Sequence, residues 1–185
     1  MPRRLLRDGR IVDDEWSYAA QGDNAAQDAD TRDAALILSF AQWQNERGAW
    51  LEDGRRRLGI VLSAGHRVES LAADISRLAL IAVEFSGPSE GRGYSQARLL
   101  REQWKFSGEL RAVGYVRTDQ VFFMARCGFN SFELPDTDID AAHAAFSAFS
   151  WAYQRSNDTG LPLKLRHRWD IPARAGNAGP LSGPP

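Results

Sequence analysis

This sequence contains little cysteine, little lysine and no long apolar run, and each scarcity excludes a class of protein. Cys127 is the only cysteine among 185 residues, so the chain alone forms no disulfide, dithiol redox motif or iron–sulfur cluster. The 23 basic residues, of which only two are lysines, balance 24 acidic ones, which is untypical of a dedicated nucleic-acid binder. The longest apolar run, residues 78–83, is too short to cross a bilayer, and the amino terminus lacks the apolar core of a secretory signal. We therefore expect a cytoplasmic protein that binds neither nucleic acid nor membranes.

The sequence does contain an alternation of short apolar strands and amphipathic helices. Residues 78–85 are apolar without alternation, which is typical of a strand covered on both faces in a parallel sheet. Four strand–helix units follow residue 58 and one more precedes it, too few for an eight-unit barrel. We predict an α/β fold whose mainly parallel sheet has four to five βα units and is either open or half-barrel-like. A hairpin around Asp8-Gly9 precedes it, and the spacing of apolar residues predicts a helix over residues 67–77.

Composition divides the chain into three parts around a single core, which 43% hydrophobic residues suffice to build. Residues 1–33 form the hairpin and a polar linker without an apolar period. Residues 34–155 form the α/β domain. Residues 156–185 form an extension rich in glycine, proline, alanine and serine, which we expect to be largely disordered.

Two loops that follow neighbouring strands hold the candidate ligand site, since ligands of open parallel sheets bind beyond the carboxyl ends of the strands. In the first loop the glycines allow close backbone approach, Ser95 can cap the next helix, and Arg92 can bind an oxyanion through two donors. The candidate anion-binding residues are Glu90, Arg92, Gly93, Tyr94, Ser95, Tyr115, Arg117 and Asp119. The same residue types also fit a structural turn that only caps a helix.

Other chemistry-bearing residues indicate no catalytic centre. The loop has neither the glycine spacing of a dinucleotide-binding motif nor the Gly-Lys-Ser/Thr ending of a P-loop. His66, His143 and His167 lie far apart, so no metal site is predicted. Cys127 ends a predicted helix, where the helix dipole disfavours a thiolate, and we interpret it as a packing residue. The catalytic residues and any cofactor stay unknown.

Five blocks of sequence occur in the order found in a bacterial family, and they are residues 74–85, 91–102, 108–114, 119–120 and 126–129. Through them the chain resembles the family known as domain of unknown function 934, over residues 34–155. That family is often labelled a probable oxidoreductase involved in sulfite reduction, and its genes tend to accompany those of assimilatory sulfite or nitrite reductase. The resemblance implies a role in sulfate assimilation and cysteine biosynthesis. Glu90 and Tyr115 stand where the family typically carries aspartate.

We therefore predict an accessory protein of assimilatory sulfite reduction that binds a small anion, the sulfite or nitrite reductase, or both. No motif for flavin, nicotinamide, haem or cluster binding supports independent redox chemistry. One alternative is an enzyme acting on a phosphorylated or sulfur-oxyanion metabolite, with Glu90 or Asp119 as the acid–base group and Arg92 and Arg117 stabilising charge. Another is a non-catalytic interaction module that uses the last aromatic helix and residues 161–169.

Overall fold

The computed structural model describes residues 3–19, 35–52 and 57–148. The strands are β1 (Arg4–Arg7), β2 (Arg10–Asp13), β3 (Trp16–Tyr18), β4 (Ala35–Ser39), β5 (Arg57–Leu62), β6 (Leu80–Phe85), β7 (Glu109–Gly114) and β8 (Ser131–Phe132). The α-helices are α1 (Phe40–Glu52), α2 (Arg92–Glu102), α3 (Val121–Cys127) and α4 (Ile139–Ala148). The predicted linker, the carboxyl-terminal extension and the interaction segment 161–169 lie outside the described residues.

All eight strands belong to one sheet, in the order β2-β1-β8-β7-β6-β5-β4-β3. Strands β3 to β8 are parallel neighbours in chain order, while β1 and β2 add an antiparallel hairpin next to β8. Each of these helices contributes buried side chains to one large core on a single face of the sheet. The predicted α/β fold, with its half-barrel alternative, is confirmed, and the hairpin makes the sheet mixed rather than purely parallel.

The amino-terminal hairpin turns through Asp8 and Gly9, as predicted. Both residues have positive φ, 50° and 74°, and this geometry matches the twist of two strands joined by a two-residue loop. The backbone N–H of Asp8 donates to the carbonyl oxygen of Asn130 at 2.8 Å, beside the start of β8. The hairpin is thereby attached to the parallel part of the sheet by backbone pairing.

The sheet curls because its two edge strands are joined by only two residues. The edges, β2 and β3, lie seven strand spacings apart in the sheet order, which would be about 34 Å in a flat sheet. The connection from Asp13 to Trp16 reaches at most about 11 Å when fully extended. A flat sheet is therefore impossible, and the curl brings β3 back toward β1 and β8 in a half-barrel.

Ion pairs cross the inner face where the curled edges approach each other, and we call this group the seam network. Arg111 in β7 is fully buried, and its guanidinium donates to both carboxylate oxygens of Asp14 at 2.9 Å and to Glu109 at 2.8 Å. In the edge strand β3, the Tyr18 hydroxyl donates to Glu133 at 3.0 Å. The remaining members are Arg3, which pairs with Asp14 and Glu133, and Arg7 and Arg57, which both pair with Glu15.

Two carboxylates of the seam network, Asp14 and Glu15, are held in their ionised forms. Burial alone would raise the pKa of Asp14, but the hydrogen bonds and positive charge of Arg111 outweigh burial and lower it. The pKa of Glu15 is lowered by hydrogen bonds from Arg57 and then Arg7. Four arginines thus meet four carboxylates, and the apolar residues beside them on the inner face, such as Trp16 and Leu80, remain buried.

The predicted helix over residues 67–77 is wrong. Two short 3₁₀ turns, Val68–Leu71 and Ile75–Arg77, occupy this segment. Asp74 lies between them, is 3% exposed and accepts a hydrogen bond from Arg47 at 2.7 Å. A continuous helix would have placed this carboxylate on its solvent face, so the burial of Asp74 and its pairing with the half-exposed Arg47 favour the broken form.

Candidate functional site at the carboxyl edge of the sheet

The predicted site residues lie in two neighbouring loops at the carboxyl edge of the sheet, one after β6 and one after β7. The loops are joined by the backbone N–H of Tyr115, which donates to the carbonyl oxygen of Phe85 at 2.7 Å. Gly114 precedes this contact with φ +81°, and a Cβ at that position would lie 2.5 Å from the same oxygen. Glycine is therefore required for this close approach of the two loops.

Helix α2 begins at Arg92, three residues before the predicted cap Ser95. The carboxylate of Glu90 accepts the backbone N–H of Arg92 at 3.2 Å, so an acidic side chain already serves the first turn. Ser95 lies exposed inside that turn, where it cannot cap the helix. The carboxylate of Glu90 thus lies where the sequence predicted an external anion.

Gly93 has a packing role in this loop. A Cβ at Gly93 would lie 2.6 Å from Cζ of Phe85 and 3.1 Å from Cγ1 of Val83. The helix therefore approaches β6 more closely than any residue with a side chain permits. Gly91, two positions earlier, has open space around it.

Tyr94 links the first loop to α3 through its ring. Its ring centroid lies 5.2 Å from that of Phe85 and 5.3 Å from that of Phe123. Burial, followed by electrostatic interactions with Cys127 and Asp119, raises the pKa of its phenol. Tyr94 therefore connects the first loop to the helix that follows the second loop.

In the loop after β7, the charged side chains of Arg117 and Asp119 pair with each other. Arg117 donates to Asp119 at 2.9 Å, and both side chains are exposed, the carboxylate by 69%. Hydrogen bonds with Tyr115 and then Asp119 raise the pKa of Arg117, and its guanidinium lowers the pKa of Asp119. The guanidinium of Arg92, by contrast, forms no hydrogen bond or ion pair with any residue that the structure describes.

A neighbouring polar turn after β5 was missed by the sequence analysis. The backbone N–H of Ser63 donates to Nδ1 of His66 at 3.1 Å. The His66 ring stacks on Phe40 with centroids 4.1 Å apart. Gln96 from α2 donates to the carbonyl oxygens of Ser63 and His66, at 3.0 and 2.8 Å. The signal in the sequence was a histidine, His66, three positions after Ser63, the serine that directly follows β5. The His66 side chain caps the turn.

Neither a metal centre nor a reactive thiol occurs in the part of the chain that the structure describes. No group of three or more His, Cys, Asp and Glu side chains in residues 3–19, 35–52 and 57–148 is arranged to hold a metal ion. Cys127 is buried, and burial raises the pKa of its thiol, which keeps it protonated. In those same ranges, no helix combines the length and the apolar character needed to span a bilayer.

Comparison with known proteins identifies one family. The family described as bacterial protein of unknown function (DUF934) matches residues 59–164, which include β5 to α4 and both loops of the candidate site. No curated protein matches the sequence.

Proposed function

The chain belongs to the DUF934 family, and we propose that it is an accessory protein of assimilatory sulfite reduction that acts by binding. Its ligand is the sulfite or nitrite reductase, a small anion, or both, and the site is the carboxyl edge formed by the loops after β6 and β7. The sequence resemblance supports the biological setting of this proposal, because genes of the family accompany those of the reductase.

The pKa shifts of side chains at and near this edge favour binding over catalysis. A general acid or base works best when its pKa lies near the pH of the reaction. The pKa of Asp119 is lowered by Arg117, so this carboxylate stays ionised, while the raised pKa values of Tyr94 and Cys127 keep both protonated. Each of these shifts moves the pKa of the group away from neutral pH. This weighs against the alternative of an enzyme with Asp119 as its acid–base residue.

Anion binding at the start of α2 requires Glu90 to move aside. The carboxylate of Glu90 accepts the N–H of Arg92, and its negative charge repels an incoming oxyanion. We therefore expect Glu90→Gln to tighten the binding of sulfite or sulfate, whereas Arg92→Gln weakens it. Calorimetric titration of the two variants and the native protein measures both effects, and equal affinities in all three would exclude this anion site.

Co-migration with the reductase tests the proposed function directly. The tagged protein is mixed with its own purified assimilatory sulfite reductase and analysed by gel filtration and native mass spectrometry. A complex of defined stoichiometry is expected. Separate elution of the two proteins at micromolar concentration, together with turnover of a phosphorylated or sulfur-oxyanion metabolite that disappears in Asp119→Asn, would instead establish the enzyme.

A further inference from the structure

We infer that helices α2 and α3 present the surface that contacts the partner protein, an inference that rests on the proposed function. The surface consists of Arg92, Tyr94, Tyr115 and Phe123, and we call it the aromatic face. The two helices contact each other on the outer face of the sheet. The first turns of both helices and the loop after β7 bring these four residues to one end, and Arg92, Tyr94 and Tyr115 also belong to the candidate site.

Phe123 is the most unusual member of the aromatic face. Its side chain is 56% exposed, more than Tyr18 or Tyr115, the other large exposed apolar residues of the described chain. Helix α3 already reaches the core through Val121, Met124 and Ala125, so its attachment to the sheet does not depend on Phe123. An exposed ring that contacts a half-buried tyrosine in a tilted arrangement is a typical anchor of a protein interface.

The charges around the rings indicate the chemistry of the partner. Arg98 pairs with Glu102 at 3.2 Å and Arg117 pairs with Asp119 at 2.9 Å, so these exposed charges neutralise each other. The guanidinium of Arg92 has no partner among the residues that the structure describes. A complementary surface on the reductase should therefore place a carboxylate opposite Arg92 and an apolar side chain against Phe123.

The experiment measures the affinity of the purified reductase for four variants by biolayer interferometry. Phe123→Ser removes the ring and Arg92→Glu reverses the unpaired charge, and each should weaken binding by about tenfold or more. Phe123→Tyr keeps the ring, and Arg10→Glu reverses an exposed arginine in the distant strand β2; both controls should bind within about twofold of the native affinity. Equal melting temperatures confirm that the variants are folded.

The outcomes separate this inference from the function on which it rests. If the native protein binds the reductase and only Phe123→Ser and Arg92→Glu bind weakly, the aromatic face is the contact surface. If all four variants bind like the native protein, the reductase contacts another surface and the inference is wrong. If the native protein itself does not bind, the reductase is not its ligand, and the part of the proposed function that concerns the reductase is wrong.

Discussion

Replacing Asp14 by asparagine removes one charge from the seam network and tests whether that network stabilises the curled sheet. Asp14 is 2% exposed at its side chain and receives two hydrogen bonds from the fully buried guanidinium of Arg111. Hydrogen bonds to charged groups contribute about 1.5–3 kcal/mol each, and breaking a buried pair costs about 3–5 kcal/mol. Glu109 still neutralises Arg111 in the variant, so we expect a loss of about 3 kcal/mol, near the lower end of that range.

Asp119→Asn is the matched control, because Asp119 pairs with Arg117 at the same 2.9 Å but is exposed. Water screens an exposed pair, so its loss should change stability very little. Urea denaturation at pH 7 measures both free energies of unfolding, and the Asp14→Asn loss corresponds to a melting temperature lower by about 9 °C. A loss no larger than that of Asp119→Asn would refute the stabilising role of the buried pair.

The same variant predicts a pH dependence with a defined sign. The folded-state pKa of Asp14 is lowered, so its stabilisation is complete above its ordinary value of about 4 and disappears as the pH falls through the lowered value. The native protein and Asp14→Asn should therefore differ by the full amount at pH 7 and converge as the pH falls through the lowered pKa of Asp14. A constant difference over this range would mean that the aspartate charge is not the source of the stability.

Three further predictions concern other buried contacts. Gly93→Ala should lower stability by about 1–3 kcal/mol, because its Cβ meets Phe85, whereas Gly91→Ala, in open space, should not; thermal denaturation compares them. Arg101→Lys should lose about 2 kcal/mol in urea denaturation, since the partly buried guanidinium donates to three loop carbonyl oxygens that an ammonium cannot reach together. Cys127, buried and with a raised pKa, should react with a thiol reagent only as fast as the protein unfolds; rapid labelling of the folded protein would contradict its burial.

The local periodicity of apolar residues was sufficient to predict the central part of the fold. The apolar run ending at Phe85 is a strand buried on both faces except at Glu84, and α2 buries Ala97 and Leu100, which are three residues apart as on one face of a helix. The candidate loops could also be placed at one edge, because parallel strands end on the same side of a sheet. The start of α2 was harder to predict, since Gly91 forms its cap without a side-chain hydrogen bond and Glu90 supplies the acceptor from outside the helix.

The role of Gly93 shows why the candidate site itself was less predictable. A glycine at the start of a helix is equally suited to a close ligand and to a close strand, and its sequence neighbours are the same in both cases. The two interpretations are separated only by the packing, which would bring a Cβ at this position within 2.6 Å of the Phe85 ring. The glycine that favoured anion binding in the sequence is required by packing. Arg92 remains as the residue of that turn whose guanidinium has no partner among the described residues.

The position of Arg111 in the sequence indicates a buried ion pair, which hydrophobic periodicity alone does not predict. It lies between Leu110 and Ala112 inside a buried strand, and a charged side chain in such a position requires a partner of opposite charge. Its partner Asp14 is 97 residues away in sequence, beyond any local pattern. The topology nevertheless limits the choice, because a two-residue connection between the sheet edges carries Asp14 and Glu15 across the inner face. A buried arginine in β7 and two adjacent acids in that connection are therefore parts of one feature, the closure of the half-barrel.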